Sequence, residues 1–206
     1  MNKKISIFGT GGYAKEVLEI INLIDHLKIE SFVVSDQYFE YDSFQDYQVL
    51  AFTDFVKKPN DMVIAIGDSS ERKKIIDLMP SEVNFPSIID PRSTISNSSR
   101  VGEGSIVSAG ALISTDVKIG CHAQINFHST IGHDCDIGNF FTSSPGVRVS
   151  GNCTIGNEVF LGTNSSLKQN IKVEDCVFVG MGSVVITDIE RNERVFGNPA
   201  RKMKKK

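Results

Sequence analysis

The chain has 206 residues, 40% of them hydrophobic and 23% charged, which excludes a mostly disordered protein. At about 150 residues per domain it has room for one large domain or two small ones. Lys plus Arg total 22 against 25 for Asp plus Glu, a formal net charge of −3, so no global basic field recommends a nucleic-acid partner.

From the N-terminus, Lys4, Ile5, Ser6, Ile7 and Phe8 predict a short strand, Gly9-Thr10-Gly11-Gly12 a turn, and residues 14–26 a helix. In that helix Val17, Ile20, Ile21 and Ile24 recur at i, i+3, i+4 and i+7. The first apolar run is cut off by Gly9, too soon for a signal peptide, and no later run approaches the roughly 18 residues of a membrane helix. The expectation is a cytoplasmic protein without stable membrane insertion. Residues 31–34 predict a second strand and 61–66 a third. Gly67-Asp68-Ser69 is another glycine turn, and 70–79 a helix with Ser at its start and Glu71 in its first turn. This alternation predicts a small parallel sheet, a Rossmann-like α/β domain over residues 1–88. The stretch 38–47, rich in Asp, Glu and aromatics, carries no motif and reads as a surface loop.

Gly9, Gly11 and Ala14 satisfy G-x-G-x-x-G/A directly after a strand and at the opening of a helix, with Asp36 22 residues beyond Ala14. Such glycines let backbone approach a phosphate, the helix N-terminus offers it unpaired N–H groups, and Asp36 would accept from a ribose or sugar hydroxyl. A glycine turn that merely fits the pattern is the plain alternative. With only about 88 residues before the next region there is space for half a dinucleotide fold, so a nucleotide-linked substrate suits it better than a nicotinamide cofactor. Gly9, Thr10, Gly11, Gly12, Tyr13, Asp36 and Gly67 are the candidate substrate-binding residues of this region.

From Ile89 to Val185 every sixth residue is aliphatic except Ser143. A helix repeats at 3.6 and a half-buried strand at 2, so a strict period of six fits a short strand plus a turn. Three such sides close a triangular coil, stacked coils pair their strands, and residues eighteen apart lie over one another. Gly often follows the aliphatic, as at Gly102, Gly120, Gly132 and Gly162, and is expected to supply backbone freedom at the turn. The result is an all-β parallel β-helix over residues 89–190, followed by a C-terminal segment and basic tail over 191–206. Cys121, Cys135, Cys153 and Cys176 show no CxxC pairing and read as small buried residues or spare thiols, with no metal site implied.

Four stretches carry a family resemblance: residues 7–12 (Ile-Phe-Gly-Thr-Gly-Gly), 64–68 (Ile-Ala-Ile-Gly-Asp) with Arg72 and Lys73 after it, 131–135 (Ile-Gly-His-Asp-Cys), and 197–200 (Gly-Asn-Pro-Ala). With the hexads, they make the chain similar over nearly its whole length to the nucleotide-sugar and sialic-acid acetyltransferases. In that family a small Rossmann-like domain precedes a left-handed β-helix of the hexapeptide-repeat type. The resemblance implies His133 as general base, Asp134 as the carboxylate that orients it, and Asn126 as a group that helps hold the acceptor or the base. Gly151, eighteen residues beyond His133, should lie beside it, and the resemblance gives its N–H to the acetyl carbonyl. The backbone amides of Thr163 and Met181, expected further along the same face, are implied for the pantetheine arm of coenzyme A, and the closing Asn198, Pro199, Ala200 and Arg201 for the cofactor as well. Lys202, Lys204, Lys205 and Lys206 extend the basic tail toward coenzyme A phosphates or solvent.

The implied activity moves acetyl from acetyl-coenzyme A to the amine of a UDP- or dTDP-linked 4-amino-4,6-dideoxy sugar for surface-glycan synthesis, in a homotrimer with sites between subunits and without a metal. An O-acetyltransferase acting on sialic acid, and a solenoid binding module without chemistry, remain the alternatives.

Overall fold

The computed structural model describes residues 3–203. Its N-terminal part is a five-stranded sheet built from β1 (Lys3–Phe8), β2 (Leu27–Val34), β3 (Ser43–Phe44), β4 (Tyr47–Ala51) and β5 (Asp61–Ile64), in the order β3-β4-β2-β1-β5. All neighbours are parallel except the β3–β4 hairpin. Three helices complete it: α1 (Gly12–Asn22), the single turn α2 (Phe52–Phe55) and α3 (Ser69–Asp77). Val17, Ile20 and Ile21 of α1 are buried as their spacing predicts, but the helix stops at Asn22, four residues short of His26. The second strand begins four residues before Ser31, and α3 starts at Ser69 with Asp68, not Ser70, as its cap. The Asp68 carboxylate accepts from the Glu71 N–H at 2.9 Å and the Ser70 hydroxyl at 2.7 Å, and those two bonds hold its pKa below the usual carboxylate range.

The expected loop at 38–47 is an exposed connection as far as residue 42, and from Ser43 it joins the sheet. A 3-10 turn over Asp36–Tyr38 leads into β3, and β4 then pairs with β2 through Phe32, Val33 and Val34. Phe44 and Tyr47 pack edge-on against Phe32, at centroid distances of 4.9 and 6.0 Å. Two of the aromatics of this stretch, Phe44 and Tyr47, therefore form the apolar cover of this end of the sheet.

From Ile88 onward the chain is a parallel β-solenoid of two-residue strands, and Ile106 pairs with Gln124, Gln124 with Thr142, and Thr142 with Phe160, each eighteen residues on. Three flat faces result. The first, of eight strands, runs from Ile88–Ile89 to the closing strands Arg194–Phe196 and Arg201–Lys202. The second, of six, includes Thr130–Ile131, Arg148–Val149 and Val184–Val185, and the third, of five, includes Asp136–Ile137 and Thr154–Ile155. The hexad aliphatics fill one continuous interior with the corner residues Ala111, Ala123, Cys135, Val147 and Cys153, and Ser143 at the non-aliphatic hexad is itself fully buried.

The turn glycines act differently from the expectation. From the Val101 hexad to the Val179 hexad the left-handed backbone falls three residues after the interior residue, at Asp116, His122, His128, Asp134, Asn152 and Asn164 among others, those six with φ between 54° and 58°. The glycine that directly follows the aliphatic is needed for space: a Cβ on Gly102 would sit 2.6 Å from the backbone of Gly120 and Cys121, and one on Gly132 2.6 Å from the Gly151 nitrogen. Coils 4.7 to 4.9 Å apart in the hydrogen-bonding direction leave no room there for a side chain.

Arg72 joins the two parts. It is buried to 1% exposure at the first face of the solenoid, and its guanidinium donates to backbone oxygens of both regions. Nη1 reaches the Ile66 carbonyl at 2.7 Å, Nε the His122 carbonyl at 3.0 Å, and Nη2 the Phe140 carbonyl and the Thr142 hydroxyl at 3.0 Å. Burial pushes its pKa down to about 10, against the pull of Tyr13 and Asp68. Gln124 adds bonds from its amide to the carbonyls of Ile64 and Ile66 at 3.1 and 3.0 Å.

Candidate active site

His133 lies in the turn between Thr130–Ile131 and Asp136–Ile137, where the second face gives way to the third. A turn residue of a narrow solenoid has no interior to occupy, and the imidazole is 63% exposed. Its Nδ1 lies 2.7 Å from Asp134 Oδ2. Asp134 occupies the left-handed position of the turn, with φ 56°, a conformation that short polar Asp tolerates better than most residues. With Nδ1–H donated to the carboxylate, Nε2 is the free lone pair.

One coil further on, Gly151 lies against the ring: a Cβ there would be 2.6 Å from both Cε1 and Nε2 of His133. Any side chain at 151 would displace the imidazole. Eighteen-residue stacking thus brings His133, Asp134 and Gly151 into one group.

Thr163 and Met181 are stacked on each other, with the Met181 nitrogen 2.6 Å from where a Gly162 Cβ would be, and Gly182 N–H donates to the Thr163 carbonyl at 2.8 Å. They do not lie along the His133 edge. Both sit in turns where the first face gives way to the second, and Asn126 occupies such a turn as well. Thirty residues separate 133 from 163, which is one coil and two further sides. The second face therefore has His133, Asp134 and Gly151 along one edge and Asn126, Thr163 and Met181 along the other. Asn126 is thus kept from His133 within one chain, and its Oδ1 accepts from the Phe127 N–H at 2.8 Å.

The closing segment joins the second group. The strand Arg194–Phe196 pairs with Phe178–Val179 at an offset of sixteen instead of eighteen, which ends the repeat. Gly197, at φ +98°, turns the chain so that its N–H donates to Ser183 Oγ at 3.1 Å and its carbonyl accepts from Val184. Asn198 and Pro199 form the loop, the Ala200 N–H donates to the Val184 carbonyl at 2.8 Å, and Arg201 is exposed in the antiparallel strand that follows. Lys202 pairs with Glu193 at 2.5 Å, and Lys204, Lys205 and Lys206 lie outside the described residues.

In the N-terminal sheet, Gly9 adopts φ +113°, and a Cβ on it would be 3.2 Å from the Ala65 carbonyl oxygen. Gly11 caps α1 without a side-chain bond, and a Cβ on Gly11 or Gly12 would meet nothing within 4 Å. Gly9 and Thr10 border a cavity of about 350 Å³ at this open side. Three candidate residues of this region also have structural contacts or burial of their own. Asp36 has its Oδ1 engaged by the backbone N–H and hydroxyl of Thr53, at 3.1 and 2.9 Å, which ties the 3-10 turn to α2. Tyr13 packs toward the α1 core, and its hydroxyl is buried without a partner among the described residues, so burial pushes its pKa up and keeps it neutral. The Gly67 carbonyl accepts from Arg72 at 3.2 Å, which makes Gly67 part of the junction.

Sequence reasoning missed the junction itself. Gln124 and Thr142 are polar residues at outward strand positions eighteen apart, on a face otherwise apolar at Ile88 and Ile106, and that register was the available signal.

Comparison with known proteins gives a consistent picture. A family model, the PglD N-terminal domain, matches residues 4–79. The GDP-perosamine N-acetyltransferase of Escherichia coli O157:H7 is 29% identical over 97% of this chain and 96% of its own length. A chloramphenicol acetyltransferase of Klebsiella aerogenes is 34% identical over 67 residues, 32% of either chain. Among solved structures, the acetyltransferase domain of PglB from Neisseria gonorrhoeae in complex with acetyl coenzyme A superposes with a TM-score of 0.90 at 29% identity, covering 98% of this chain and 100% of that one. PerB from Caulobacter crescentus in complex with CoA and GDP-perosamine gives a TM-score of 0.90 at 26% identity, over 98% of this chain and 97% of that one.

Proposed function

We propose, from the premise that the chain belongs to the nucleotide-sugar acetyltransferases with a hexapeptide-repeat solenoid, that it transfers acetyl from acetyl-coenzyme A to the amine of a nucleotide-linked amino sugar. The observation that carries the reading is the His133 group: an exposed imidazole held by a carboxylate 2.7 Å away and laid over a glycine one coil on. Acyl transfer to an amine needs a base for the departing proton, donors for the developing oxyanion and alignment of the two reactants.

His133 Nε2 takes the proton as the amine nitrogen bonds to the thioester carbon, and Asp134 supports the imidazolium that forms. The Gly151 N–H stabilises the oxyanion in a turn where no Cβ intervenes. When the tetrahedral intermediate collapses, the carbon–sulfur bond breaks, and the proton held by His133 passes to the thiolate. The N-terminal glycine loop, Gly9 to Gly12, with the open end of α1, holds the diphosphate.

The separation of the two edges supports a homotrimer with shared sites. Thr163, Met181 and residues 198–200 line one edge of the second face, and the His133 group lines the other. A cosubstrate that touches both sets is met most simply when the edge of one chain faces the opposite edge of its neighbour. The second face carries Thr94, Leu112, Thr130, Ser166 and Val184 outward with Arg148 as its one charge, whereas the third presents Arg100, Lys118, Asp136, Thr154 and Lys172, all exposed. The less charged face suits subunit packing.

The nucleotide expected from sequence is UDP or dTDP, while the Escherichia coli relative is a GDP-perosamine N-acetyltransferase and the PerB structure is a complex with GDP-perosamine. Release of free coenzyme A thiol is therefore measured against GDP-, UDP- and dTDP-linked 4-amino sugars and free sialic acid. The proposal expects rapid release with one of the amino sugars. Release with sialic acid alone, or with none, contradicts it.

A further inference from the structure

The 3-10 turn Asp36–Tyr38 does two opposite things with adjacent side chains. Asp36 is drawn back to Thr53, while Tyr38 is left 67% exposed beside the glycine loop. The turn is ordered by its own backbone: Tyr38 N–H donates to the Ser35 carbonyl at 2.8 Å and Phe39 N–H to that of Asp36 at 3.2 Å. Two cavities meet there. One of about 350 Å³ has Gly9, Thr10, Gln37, Tyr38, Ile66 and Ile75 in its lining, and one of about 220 Å³ includes Thr10, Tyr38 and Tyr41.

Phe39 and Tyr41 are also exposed, at 44% and 75%. A single exposed aromatic is ordinary, but three within four residues are not, and two of them, Tyr38 and Tyr41, share a cavity lining with Thr10 of the glycine loop.

We infer that Tyr38 is a specificity-determining residue whose ring stacks on the base of the nucleotide-linked substrate, above the glycine loop that holds its diphosphate. The inference rests on the proposed function, and the chemistry selects the occupant. The sugar end of such a substrate must reach a His133 turn, so the end that stays on the N-terminal sheet is the base. A base is a flat π system that gains from an aromatic face, and Ile66 and Ile75 supply further apolar lining. Gln37, in the same cavity, carries an amide able both to donate and to accept at the edge of a base.

The test is calorimetric titration of the full chain with GDP, UDP, dTDP and inorganic pyrophosphate, for wild type, Tyr38→Ala and Tyr38→Phe, together with KM for both substrates. Wild type binds one nucleoside diphosphate preferentially. Tyr38→Ala weakens that binding roughly tenfold to a hundredfold and raises KM for the nucleotide sugar, with pyrophosphate binding and KM for acetyl-coenzyme A unchanged. Tyr38→Phe, which keeps the ring, retains binding within about threefold. Equal binding by wild type and Tyr38→Ala overturns the inference and leaves the proposed function intact. An equal loss for pyrophosphate also overturns it, because Tyr38 would then be shaping the loop and not contacting a base. Failure of wild type to bind any nucleoside diphosphate overturns the reading on which it rests.

Discussion

The solenoid and the N-terminal sheet place their polar groups by opposite means. In the solenoid one solution is repeated: Asn139 Oδ1 accepts from the Cys121 N–H, Asn157 Oδ1 from Asn139, and Asp175 Oδ1 from Asn157, each eighteen residues apart. In the sheet and at its junction each contact occurs once, as with Asp68 capping α3, Asp36 holding Thr53, and Arg72 reaching carbonyls up to 69 positions away. A repeat makes contacts predictable by addition, whereas single contacts between distant segments leave no spacing to read.

Substitutions should separate the two regimes. The largest effect is expected at the proposed catalytic turn: His133→Ala should lower kcat by about a hundredfold to ten-thousandfold in a thiol-release assay. Its thermal midpoint should stay near wild type, because the side chain is mostly exposed. A fully active, stable variant would remove His133 from the mechanism. Arg72→Met comes next, since it strands several buried carbonyls at the junction and should cost at least ~3 kcal/mol in urea unfolding. An unchanged midpoint there would mean that the two regions are held together by something else.

The junction also predicts a response to acid. His122 is buried, stacked on Phe140 at 5.3 Å, with Nδ1 unpartnered among the described residues. Burial, with Arg72 adding to it, pushes its pKa down to about 4. The folded value lies below the ordinary 6.5, so the unfolded chain binds the proton first. The contribution of neutral His122 is full above about pH 6.5 and is lost as pH falls through that range toward 4, with a total effect on the order of a few kcal/mol. Urea midpoints between pH 7 and 4 should fall more steeply in wild type than in His122→Phe, and parallel curves would contradict the assignment.

Within the solenoid the two glycine positions should respond differently. Gly120→Ala places a Cβ 2.4 to 2.7 Å from Asn139 and the Gly138 carbonyl carbon and should destabilise by about 1 to 3 kcal/mol. Gly182→Asn, at φ +64° with open space around it, should change stability by less than about 1 kcal/mol. Similar losses at both would deny that one position serves stacking and the other the turn.

Most of the solenoid was legible because six divides eighteen: the pairing of strands and the contact between Gly151 and His133 follow from addition. The same addition, carried further, separates the edge of Thr163 from that of His133, and only the faces make that plain. The hairpin at 43–51 was hidden because its aromatics pack across to Phe32, and Arg72 because its hydrogen bonds go to carbonyls and a hydroxyl, with no ion pair among the described residues to announce it. In both cases tertiary contact outweighs local pattern.

The most direct test of the central claim is the chemical nature of the product. Wild-type enzyme is given acetyl-coenzyme A and the preferred nucleotide amino sugar, and the acetylated product is treated with hydroxylamine under mild alkali, which cleaves acetyl esters and spares amides. Amine transfer predicts a resistant acetyl group formed by wild type and lost in His133→Ala. An acetyl group released by hydroxylamine, or the same amide formed by the variant at the wild-type rate, would contradict it.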